Sequence, residues 1–107
     1  MRLSEFHKNL ILASECDTRK KYLQKKEIEI YDKTNPTHVA LAKIWELSHD
    51  FNFRKLRQIS GLTQAKFAQE YGVPPKTLEK WDTGERTPPP YVIELLAADV
   101  ITELAEE

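Results

Sequence analysis

LTQAKFAQEYGVPPKTLEKWDTGERTPPP, residues Leu62 to Pro90, is the stretch whose reading decides the fold. Thr63 is a good N-cap residue, and the helix it opens, Gln64 to Tyr71, stops at Gly72, which tolerates the left-handed conformation of a helix end. Pro74 and Pro75 restart the chain, because proline is pre-organised for a first helical turn. The second helix spans about Pro75 to Thr83 and closes on Gly84. Phe67, Ala68 and Tyr71 share one face of the first helix, and Leu78 and Trp81 one face of the second. Val73 lies in the turn, where a small apolar side chain fills the gap between the helices. Lys76, Glu79, Lys80 and Thr83 are left on the outer face.

Two short helices joined by a Gly-containing turn form a helix-turn-helix unit, whose second helix enters a DNA major groove. The combination Gly61-Leu62-Thr63-Gln64, Phe67-Ala68, Gly72-Val73, Thr77-Leu78, Trp81-Asp82, Gly84 and Arg86-Thr87-Pro88 resembles the DNA-binding domain of phage-repressor-like (XRE-type) transcriptional regulators. The likeness covers roughly Phe51 to Leu96. It implies an all-α, lambda-repressor-like helix-turn-helix core and a host that is a bacterium or a phage. It also implies that Gln64 contacts a DNA phosphate and that Pro75, Lys76 and Lys80 reach bases, with Thr77 and Glu79 nearby. An ion pair between Arg57 and Asp82 is implied as well. Two features depart from the pattern. Pro74 replaces the usual Ser or Thr cap, and Pro88-Pro89-Pro90 lacks the N–H groups that would hold a phosphate. Backbone contacts there must rest on Arg86, Thr87 and the N–H of Tyr91.

At 107 residues the chain is one domain, or one small domain with an extension. Its 40% hydrophobic and 31% charged residues suit a soluble globular protein and exclude wholesale disorder. No apolar run approaches the roughly 18 residues that span a bilayer. The apolar patch near the N-terminus is broken by Glu5, His7 and Lys8, so no signal peptide is expected. A single cysteine, Cys16, excludes an internal disulfide and suits a reducing cytosol. The expected location is cytoplasmic and nucleoid-associated. The net charge of −1 hides an asymmetry: Phe51 to Tyr91 holds seven basic against four acidic residues, and Val92 to Glu107 holds five acidic and no basic ones. Nucleic-acid affinity follows the local patch. A surplus of three charges suits two copies on two half-sites better than one copy alone.

The preceding segment, residues 1–50, reads as a helical extension to a DNA-binding domain of residues 51–107. Residues 1–16 form a helix capped by Ser4, with Leu3, Phe6, Leu10 and Ala13 on one stripe. Arg19 to Lys33 is ambiguous: Tyr22 and Leu23 suit a helix, whereas Glu27-Ile28-Glu29-Ile30-Tyr31 alternates with a strand period. Helix is preferred, because no good partner strand is visible. Asn35 and Pro36 start a helix that ends near Ser48 and carries Leu41, Ile44 and Trp45. Arg54 to Ser60 is the helix before the motif. Tyr91 to Glu103 is apolar around much of its girth, as a seat for the N-terminal helices or as a dimer surface, with packing taking most of it.

Lys76 and Lys80 could be an ordinary solvated face, but the motif around them places groove contact ahead. Arg19, Lys20, Lys21, Lys25 and Lys26 read as a solvated face balanced by Glu15, Asp17, Glu27 and Glu29. His7, His38, His49 and Cys16 lack metal-ligand spacing, so the histidines read as isolated surface residues and no metal is expected. No phosphate loop, nucleophile elbow or carboxylate pair is present, so neither catalysis nor a cofactor is expected. The sequence points to sequence-specific binding of double-stranded DNA by a homodimeric repressor. Two alternatives stay open. One is an antitoxin that autoregulates its operon and holds a toxin. The other is a protein-interaction module that has lost DNA binding.

Overall fold

A computed structural model describes residues 1–106, which form seven helices and no strand. They are α1 (Leu3–Ser14), α2 (Arg19–Lys25), α3 (Pro36–His49), α4 (Phe53–Ser60), α5 (Gln64–Tyr71), α6 (Pro75–Thr83) and α7 (Pro90–Glu106). Side-chain oxygens cap most of the starts: Thr18 accepts from the Lys21 N–H, Asn35 from Thr37 and His38, Asn52 from Lys55, and Thr63 from Lys66. Each such cap satisfies an amide that the helix itself leaves unpaired.

α7 is the shared wall of the molecule. α3 packs along it more extensively than any other helix pair packs, α4 lies against it, and α1 crosses it. α1 runs antiparallel to α7, since the His7 ring lies 3.4 Å from Glu94 and the Met1 ammonium donates to Thr102 at 2.5 Å. The N-terminal helices and the motif therefore share one continuous core, from Phe6 and Tyr22 through Ile44, Leu47 and Ile101 to Leu56, Phe67 and Leu78. The apolar girth of α7 is largely consumed by this packing: Ile93, Ala97, Val100 and Ile101 are buried.

Three readings of the sequence need correction. α1 begins one residue before Ser4, with Arg2 at the N-cap and no side-chain cap, so Ser4 lies inside the helix. The helix over Arg19 to Lys33 ends at Lys25, and the alternating residues after it form neither helix nor strand. The cause is local. Glu27 takes a left-handed φ of 65°, its N–H donates to Gln24 O at 3.0 Å, and the Ile28 N–H donates to Leu23 O at 2.9 Å. This bonding pattern ends a helix, and Ile28 packs against the core to which Leu23 belongs. Finally, the histidines are not isolated. His38 Nδ1 accepts from the Asp32 N–H, and His49 Nε2 lies 2.9 Å from Cys16 O.

Candidate nucleic-acid interface

α5 and α6 meet at a turn built as the residue types require. Gly72 has φ 65°, and the N–H groups of Gly72 and Val73 both donate to Ala68 O, closing α5. Pro74 occupies the N-cap of α6 and supplies no side-chain cap. Phe53, at the first position of α4, holds the two helices in place. Its ring meets Phe67 of α5 edge-on at 5.4 Å and Trp81 of α6 at 5.3 Å. Such aromatic contacts add about 0.5–1.5 kcal/mol each beyond the area they bury.

A second anchor is polar. Arg57 Nε donates to Asp82 Oδ1 at 2.8 Å and Arg57 Nη2 to Asp82 Oδ2 at 3.0 Å, while Nη1 donates to Leu62 O at 3.1 Å. Gln64 Nε2 also donates to Asp82 Oδ2, at 2.9 Å. The Arg57–Asp82 pair thus ties α4, the α4–α5 turn, the start of α5 and the end of α6. Burial pushes the Asp82 carboxyl up, but the hydrogen bonds from Arg57 and Gln64, with the charges of Arg57 and Arg54, outweigh it and hold the group below its ordinary value.

These anchors fix what α6 presents. Pro75, Lys76 and Glu79 are exposed, and Thr77 and Lys80 are half-buried. Lys76 and Lys80 are one turn apart on one face. Among the described residues neither ammonium lies within ion-pair distance of a carboxylate. Beyond α6, the Arg86 N–H donates to Lys80 O at 3.2 Å, so the backbone of Arg86 is folded over the helix end. Arg86 and Thr87 are both exposed. The Gln64 side chain is turned onto Asp82 through one amide hydrogen, which leaves its second N–H free to donate.

Two contributors went unnoticed in the sequence. Phe53 carries no signal in the sequence beyond its apolar character, although its ring packs against both helices of the motif. Arg54, three residues before Arg57, stands beside Arg86, Thr87 and Gly84 in a surface cleft. The i, i+3 spacing to Arg57 was the available signal for it.

No helix among the described residues is long and apolar enough to cross a membrane. No curated protein and no solved structure matched the chain. Residues 59–62 and 72–84, which carry the glycines and the turn, fall inside a segment that does match a family model. That model is described as helix-turn-helix and matches residues 53–99, a little under half of the chain, so this segment is similar to the helix-turn-helix family.

Proposed function

We propose that this protein is a sequence-specific repressor that binds duplex DNA as a homodimer on a two-fold operator. The observation that carries the reading is the outer face of α6, where Lys76 and Lys80 stand unpaired beside Pro75, Thr77 and Glu79. A helix with this face enters the major groove, and the two ammonium groups reach guanine O6 and N7. Glu79 is placed to accept from a cytosine amino group, and Thr77 to touch a phosphate. Gln64, Arg86 and Thr87 grip the backbone on either side and set the register. The dimer would use Tyr91 and Leu95, one turn apart on α7 and 63% and 51% exposed, and would space its half-sites about one helical turn apart. The location that fits is cytoplasmic and nucleoid-associated.

A gel shift on a duplex selected from a random pool tests this. The Lys76→Ala, Lys80→Ala double variant should lose retardation, and a base-pair change opposite either lysine should weaken the wild type by about 1–3 kcal/mol. Retardation unchanged in the double variant would rule out these residues as readers. Absence of retardation by the wild type on any selected duplex would instead favour an interaction module without DNA binding.

A second reading, an antitoxin that autoregulates its operon, is supported by the N-terminal layer. There Ile30 is 82% exposed beside a groove lined by Arg19, Leu23, Ile28 and Tyr31. Co-purification of a neighbouring gene product with the wild type, and its loss with Ile30→Glu, would distinguish the two.

A further inference from the structure

Between the start of α4 and the end of α6 lies a cleft of about 210 Å3. Two guanidinium groups border it from elements far apart in sequence: Arg54 from the first turn of α4, and Arg86 from the loop after α6. Neither side chain has an ion-pair or hydrogen-bond partner among the described residues, in contrast to Arg57, which spends its donors on Asp82 and Leu62. Thr87 lines the same cleft, and its hydroxyl is also without a partner. The remaining lining is Asn52, whose side chain is engaged with Asp50 and Lys55, the end of α6 at Asp82, Thr83 and Gly84, and the apolar faces of Phe53, Trp81 and Pro88.

Two like charges converging on one cleft repel each other unless an anion sits between them. Asp82 also lines the cleft, and the charge of Arg54 acts on it. Its two oxygens are already engaged by Arg57 and Gln64, however, and one carboxylate does not balance Arg57, Arg54 and Arg86 together. Glu85 is exposed and is not part of the lining. The loop that closes the cleft continues into Pro88, Pro89 and Pro90, which have no N–H to offer. A ligand here must therefore be held by side chains. A guanidinium is the side chain best matched to a phosphate, through two parallel N–H donors.

We propose that Arg54 and Arg86 clamp one backbone phosphate of the bound duplex in this cleft, with the Thr87 hydroxyl as a third donor. Arg54 lies outside the turn and both helices of the motif, and it acts as a positioning residue. It fixes how the edge of the domain meets the strand, not which bases are read. This inference rests on the DNA-binding reading above and adds a specific contact to it.

The test is the salt dependence of binding to a fluorescein-labelled 30-bp duplex of mixed sequence, followed by anisotropy. Each lost phosphate contact lowers the slope of log K against log salt by about 0.9. Arg54→Ala should lose about that much and bind every duplex severalfold more weakly, while Arg54→Lys should retain most of the slope. Lys33→Ala removes the same charge beside Leu104, about 21 Å along α7 from Pro90 by its helical rise, and should leave the slope unchanged. Circular dichroism melting of Arg54→Ala should stay close to the wild type, since its side chain makes no hydrogen bond or ion pair among the described residues and adds only a longer-range charge to Asp82.

A wild-type slope in Arg54→Ala, with wild-type binding intact, would overturn the clamp alone. Failure of the wild type to bind any duplex would overturn the clamp and the DNA-binding reading together. Inorganic phosphate titrated against the 15N-labelled chain gives the other arm. Saturable shifts at Arg54 and Arg86, with an unchanged duplex slope in Arg54→Ala, would assign the cleft to a free anion and overturn the DNA contact.

Discussion

Arg57 holds both oxygens of the Asp82 carboxylate, at 2.8 and 3.0 Å, across 25 residues of chain, and it does so from outside the two helices of the motif. The geometry is a planar fork meeting a planar acceptor, which a lysine cannot reproduce. Its side chains are 19% and 8% exposed, so solvent screens the pair only weakly. The pair sets where α6 ends relative to α4, and hence where Lys80 and Arg86 stand.

Arg57→Ala should therefore destabilise the fold by roughly 3 kcal/mol, most of it from leaving a buried charge with one partner. Asp82→Asn in the Arg57→Ala background should recover part of the loss, because it removes that charge. The pH dependence follows from the lowered Asp82 value. A carboxyl whose folded value lies below its unfolded value, about 3.9, stabilises fully above the unfolded value. That contribution vanishes as the pH falls through the folded value. Urea unfolding of the wild type should thus weaken below about pH 4, and Arg57→Ala should show a smaller acid-side decline. An identical decline in both would contradict this role for the pair.

A buried polar link joins the first two helices. The Tyr22 hydroxyl donates to Asn9 Oδ1 at 3.1 Å, and Asn9 Nδ2 donates to Glu5 O at 3.1 Å. Tyr22 is fully buried, and burial, with Cys16 nearby, pushes its hydroxyl well above the ordinary value. It therefore remains a donor throughout the working range. Tyr22→Phe keeps the ring and strands the Asn9 oxygen, a loss of about 1–2 kcal/mol. Chemical denaturation measures it directly. A variant as stable as the wild type would mean that water satisfies Asn9 instead.

Which parts of this architecture were legible in the sequence follows from the range of the forces involved. Thr63, Gly72, Pro75 and Gly84 act on backbone within one turn of themselves, so the ends of α5 and α6 could be read directly. The end of α2 could not. Glu27 takes a conformation usually left to glycine, and what accompanies it is the Ile28 N–H bonded to Leu23 O with the Ile28 side chain packed on the core. The same limit applies to the histidines, because His49 finds its acceptor 33 residues away. In the candidate interface, the outward face of α6 follows from periodicity. That Arg54 and Arg86 line one cleft does not, since it depends on how α4 packs beneath α6.

The turn between α1 and α2 is locked by α3. Cys16 O accepts from Trp45 Nε1 at 3.0 Å and faces His49 Nε2 at 2.9 Å, and Ala13 O lies 3.3 Å from the same nitrogen. Carbonyl oxygens only accept, so Nε2 carries the hydrogen. Trp45→Phe leaves Cys16 O one donor and should lose about 1 kcal/mol, as should His49→Ala. The double variant strands the carbonyl and should lose more than the sum. Strict additivity in thermal or urea unfolding would show that the two donors act independently.

Gln64 offers the last test, because its amide joins the fold and the proposed interface. Nε2 donates to Asp82 Oδ2 at 2.9 Å. Gln64→Glu keeps the shape and sets a second carboxylate against the first. The pair then favours one shared proton, so its folded value rises above the unfolded one. The sign reverses relative to the wild type: the penalty is present above the raised value and is relieved as acid protonates the pair. Stability should fall by about 1–3 kcal/mol near neutral pH, and the gap to the wild type should close on acidification. Duplex affinity should fall further than in Gln64→Ala, since the new charge repels the phosphate that Gln64 is proposed to contact. Equal affinities for Gln64→Glu and Gln64→Ala, measured by anisotropy at low salt, would place Gln64 in the fold and outside the contact.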